Sequence, residues 1–207
     1  ALKTRGTERR RQEMLASMSN VLAIRFKGFD PDRFLNWTYP YVRWCFSRVT
    51  LAMCVILLAV AAILISVQWD VFCAKLPTFQ EFFSVKNWLW LALTLSVTKV
   101  LHEFGHAFSC KHFGGECHEM GVMILVLTPC LYCNVSDSWM LPNKWHRVSI
   151  GAAGMYVELV IASICTFIWW FSQPGMLHYT ALNIMFICSV STLLVNANPL
   201  LRYDGYH

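Results

Sequence analysis

Charge is what this chain has least of. Only 14% of its 207 residues are Asp, Glu, Lys or Arg, where a soluble domain carries about a quarter. Too few charges are present to clothe a globular surface in water, which excludes a soluble globular domain. Acidic residues are the scarcer sign, 12 against 17 Lys and Arg. The basic surplus does not mark a nucleic-acid binder. Ten of those cations precede residue 49, ahead of the first apolar block, where they fix orientation or touch anionic lipid. That block begins near Val49, too deep and too long for the core of a cleavable leader. The sequence also lacks internal repeats and low-complexity tracts. Its seven histidines are dispersed with no His-x-x-His-His box, which excludes a membrane di-iron desaturase or hydroxylase.

Cysteine is not lacking. Nine are present, mostly inside apolar blocks, and they read as small buried hydrophobes rather than a disulfide framework. Cys130 and Cys133 have Cys-x-x-Cys spacing in "CLYC". They lie in an apolar run, whereas zinc ribbons place such pairs in polar turns.

Apolar residues make up 57% of the chain and fall in long blocks. This is the pattern of an all-α polytopic membrane protein. About four transmembrane helices are expected, over 49–67, 88–110, 148–171 and 180–197. Between the second and third, "GVMILVLTPCLYC" (121–133) is too short to cross as a helix. A re-entrant element or a β-hairpin covered by protein is expected there. Residues 1–48 form a basic cytoplasmic and interfacial N-terminal segment, with "NWTYPYVRW" as an aromatic anchor, and 49–207 form the membrane-embedded core. With the N-terminus cytoplasmic, inner segments hold fourteen Lys and Arg against two outside, so the N-terminus is expected inside. A chain that opens on Ala1 and stops at "DGYH" is expected to be a piece of a longer protein.

The second block carries "LHEFGHAFSCKH". Residues four apart on a helix project within about 40° of each other, so His102 and His106 can share one metal ion. Glu103, beside the first, can take a proton from a metal-bound water without being a ligand. Ionisable groups within a span are costly and mark function by default. A catalytic zinc uses three protein ligands and keeps one position open, so one ligand remains to be found. His112 almost completes a metzincin pattern, but Ser109 stands where that pattern has its turning glycine. On a continuing helix His112 lies about 240° round from His106. Asp204 in "NPLLRYDGYH" is better placed, because the fourth span returns the chain to the side on which the second span ends. Asn198-Pro199 breaks the helix before it, and Gly205 permits a tight backbone path.

"HEFGH" in a transmembrane helix with "NPLLRYDG" after a later one resembles the site-2 protease family of intramembrane zinc metalloproteases. The stretch from "CKHFGGECHEM" to "NKWHR" looks like its bacterial branch of peptide zinc metalloproteases. The resemblance covers most of the chain from about residue 20. It implies zinc on His102, His106 and Asp204, with Glu103 activating water to hydrolyse peptide bonds of membrane-associated or exported substrates. It also implies residence in the bacterial inner membrane, with secretion-adaptor components as further partners. The alternative is a catalytically idle membrane adaptor of an export system. Two departures stand out. "LLRY" stretches the spacing between Pro199 and Asp204. "GMYVE" has Met155 and Glu158 where many members have Pro and Asn. Gly151 and Gly154 in "GAAGMYVE" are expected to allow close helix packing.

Overall fold

The computed structural model describes residues 23–26, 28–125 and 128–196. Helices dominate. In chain order they are α1 (Asp32–Val42), α2 (Arg48–Val67), the short α3 (Trp69–Lys75) and α4 (Phe79–Phe82), α5 (Val85–His112), α6 (Lys144–Phe171) and α7 (Met176–Val190). A 3₁₀ turn at Ser136–Met140 leads toward α6, and a π turn at Ser191–Asn196 follows α7.

Three of these helices are long and apolar enough to cross a membrane: α2, α6, and α7 with its continuation to Leu193. α2 is apolar on all sides and almost wholly exposed, with Val49, Met53, Val55, Ile56 and Ile63 open to the surroundings. Such a face is stable only in lipid or against a partner. The second expected span falls in α5, whose 28 residues reach roughly 42 Å at 1.5 Å per residue. Length does not disqualify it. Lys99, His102, Glu103, His106 and Lys111 crowd its second half, and these hold α5 below the apolarity of the other three. The fourth expected span starts earlier than its composition implied and stops being α-helical at Val190; its last residue, Ala197, lies outside the described residues.

The 121–133 stretch is a strand pair. β2 (Met120–Leu125) runs antiparallel to β3 (Thr128–Cys133), with Met120 opposite Cys133 and Leu125 opposite Thr128. A third strand, β1 (Ala23–Arg25), adds to β2 from the N-terminal segment, giving the order β1-β2-β3. The chain is mainly helical as expected, and β1 adds a strand to the pair that a β-hairpin between the second and third spans would supply. Three residues too short to show an alternation in sequence complete a sheet by pairing with a partner a hundred positions away.

Helix ends follow local chemistry. Ser47 caps α2 through its side chain on the Thr50 amide, and Asn143 caps α6 on the Trp145 amide. α5 ends at His112, and Gly114 follows with φ of 89°, a left-handed conformation that glycine adopts without strain. α5, α6 and α7 pack on one another, α2 leans on α6, and α1 and β3 cover the C-terminal half of α5. Around Trp169, fully buried, Cys165, Ala181, Leu182 and Met185 form one core; Leu35, Ala107, Cys117 and Met120 form a second beside the sheet.

Candidate metal centre

α5 and α6 cross where the motif lies. A β-carbon built on Gly105 would sit 3.0 Å from the Ala153 carbonyl oxygen and from Val157 Cγ2. Only glycine lets the backbones come this close. The approach buries His102 and His106 against α6, at 3% and 6% exposure. Their rings stand 4.8 Å apart at 73°, with the two Nε2 atoms 3.1 Å from each other.

The far side of each ring is engaged. His106 Nδ1 lies 2.7 Å from the Ile150 carbonyl oxygen. A carbonyl only accepts, so that nitrogen carries the hydrogen and Nε2 presents a lone pair. His102 Nδ1 lies 3.1 Å from Glu158 Oε1, which assigns the same tautomer where Glu158 is ionised. Two lone pairs facing at this distance repel unless a proton or metal ion lies between them. The separation suits two imidazoles bound to a single zinc at about 2.0–2.1 Å each.

Gly154 brings α6 close to both rings. A β-carbon built on it would lie 2.5 Å from His102 Nε2 and 2.5 Å from His106 Nε2. The missing side chain therefore lets the α6 backbone pack directly against the paired rings. The paired nitrogen donors fit a divalent transition metal.

Glu103 is half-buried. It lines a cavity of about 480 Å³ between α5 and the sheet, walled by Phe26, Phe29, Val100, Phe104, Val122 and Leu131. Among the described lining residues it is the one ionisable side chain.

The third expected ligand, Asp204, lies outside the described residues, as does the whole of 197–207. Among the described residues no three His, Cys, Asp or Glu side chains converge as a complete ligand set. His112 is not brought to the pair. Its Nδ1 is 2.9 Å from the Tyr39 hydroxyl, and its ring stacks on Phe46 at 4.5 Å. Cys133 meets Cys117, with 3.1 Å between their sulfurs; the side chain of Cys130 lies outside the described ones.

Glu158 is the acidic residue that motif reading singled out only as a departure. It is 1% exposed. Lys99 Nζ donates to its Oε1 at 2.8 Å, and the Ser191 hydroxyl to the same oxygen at 3.1 Å. Oε2 accepts from Thr192 Oγ1 at 2.6 Å and from Asn196 Nδ2 at 3.3 Å. Lys99 was passed over, and Gly154 was read only as a helix-packing residue. The signal for Lys99 was a lone cation one turn before His102 on the same face of α5, paired with the lone acid of α6.

No family model matches the chain, and no solved structure does. It is similar to a protein of Bacillus subtilis (strain 168) named "Putative peptide zinc metalloprotease protein YydH", 27% identical over 126 residues. The alignment takes in 60% of this chain and 48% of that protein, so the chain spans about half the length of this relative.

Proposed function

We propose that the chain is the membrane core of an intramembrane zinc metalloprotease of the site-2 type. The carrying observation is the buried pair of imidazoles whose Nε2 atoms converge at 3.1 Å against α6. His102 and His106 would hold zinc with Asp204 as third ligand, and α5 would be a fourth span delivering them within the membrane. The similarity to a protein named for peptide zinc metalloprotease activity supports the same reading.

When bound, zinc supplies a Lewis acid that polarises a peptide carbonyl and acidifies a water. The chain's residues do the rest. The Ile150 carbonyl and Glu158 hold the two rings so that their Nε2 atoms point inward. Glu103 is the general base: it takes the water's proton and passes it to the leaving amine. Its place between the histidines in sequence and on the wall of the cavity supports that role. The cavity's aromatic and aliphatic walls select apolar side chains and exclude water. Substrates on this reading are peptides or proteins drawn from the bilayer or on the way to export.

Glu103→Gln tests the assignment. It keeps the size and removes the base, so the purified variant retains zinc at the wild-type ratio while hydrolysis of a transmembrane peptide drops at least a hundredfold, within the range attributed to general-base catalysis. Near-wild-type cleavage would remove Glu103 from the mechanism.

A further inference from the structure

Building on that reading, we propose that Glu158 and Lys99 form a built-in ion pair that positions His102, fixing its tautomer and tying it to the turn that leads into 197–207.

The carboxylate is only 1% exposed and is ringed by donors. Lys99 Nζ, 2.8 Å from Oε1, has no lone pair when charged, and Asn196 presents its amide nitrogen to Oε2. The Ser191 and Thr192 hydroxyls complete the shell at 3.1 and 2.6 Å. Four donors over two oxygens describe an ionised acid. Its charge is offset by Lys99, which suits a buried site where an isolated carboxylate would be very costly.

An ionised acceptor 3.1 Å from His102 Nδ1 demands the N–H there. The lone pair is then left on Nε2, the atom that faces His106. Histidine ligands of metals are commonly oriented in this way by a carboxylate on the second ring nitrogen, which also raises their basicity. An amide at 158 could turn either its oxygen or its nitrogen to the ring and would leave the tautomer open. The acid removes that freedom, and Lys99 is what keeps the acid charged.

The same carboxylate reaches beyond α5 and α6. Thr192 and Asn196 belong to the π turn Ser191–Asn196, a distortion of the kind often found at functional sites. Glu158 therefore ties the first imidazole of α5 to the backbone that continues toward Asp204. It is a positioning residue.

The experiment compares zinc affinity of the purified full chain and of Glu158→Gln/Lys99→Met, by competition with a chromophoric chelator. Removing both partners leaves neither charge buried alone. Affinity should fall about tenfold to a hundredfold, with the thermal melt in detergent retained; unchanged affinity would overturn the proposal. Nitrogen-15 histidine NMR of the wild-type chain without metal reads the tautomer directly, whether or not the variant folds. A hydrogen on His102 Nδ1 supports the proposal, and a neutral ring with its hydrogen on Nε2 contradicts it. A wild-type chain that binds no zinc while showing the expected tautomer would sink the metalloprotease reading and leave the ion pair's orienting role standing.

Discussion

Gly154 decides more at the residue scale than its lack of a side chain suggests. A methyl group there would meet both imidazoles, 2.5 Å from each Nε2. Gly154→Ala must either push α6 away or turn the rings. Overpacking of this kind costs about 1–3 kcal/mol, which corresponds to roughly tenfold to a hundredfold in zinc affinity. The same chelator competition checks it, and affinity equal to wild type would mean that the metal does not lie between the two rings. The histidines themselves were legible in sequence, because a four-residue spacing on a helix fixes a shared face whatever surrounds it. The helix-packing expectation at Gly154 was too general, since spacing cannot say which side chain will stand opposite. Glu158 and Lys99 had to be met in space: they are 59 positions apart, and no local pattern links them.

Among the elements, α1 shows how the N-terminal segment is fastened to the core. Asp32, in its first turn, accepts from Lys111 Nζ at 2.7 Å in the last turn of α5. Lys111 chiefly holds the Asp32 carboxyl below its ordinary range, and Asn36 assists. A depressed carboxylate stabilises the fold above its unfolded value near pH 4, and this contribution disappears as pH falls through the lower folded value. Asp32→Asn should lower the melting temperature slightly at pH 7, by an amount equivalent to at most about 1 kcal/mol, and the difference should shrink as pH falls below about 4. Equal melts at pH 7 would show that the bridge contributes nothing. The spans α2, α6 and α7 were legible because apolar length is a property of the segment alone. The sheet was half legible. The 121–133 run is short and bounded by turn residues, so a strand pair was one of two readings; β1 depends on a distant edge and had no signal of its own.

For the whole molecule, the exposed apolar faces of α2 and of the outer side of α5 call for lipid. Val49, Val55 and Ile56 are each at least 60% exposed on the first, as are Trp88 and Leu89 on the second. On the expectation of a cytoplasmic N-terminus, the loop between these helices would face outside. It holds Cys73, which is exposed. A membrane-impermeant maleimide added to intact spheroplasts should label Cys73, located by peptide mass spectrometry, before permeabilisation; labelling only afterwards would invert the topology.

The central claim is that imidazoles on α5 and a carboxylate from the 197–207 segment gather one zinc. Zinc X-ray absorption on the purified full chain reads this most directly. The account predicts one zinc per chain with two nitrogen and further oxygen neighbours at about 2.0–2.2 Å, lost in His102→Ala. Sulfur neighbours at about 2.3 Å would place the metal at the cysteines instead, and zinc retained in His102→Ala would contradict the site outright.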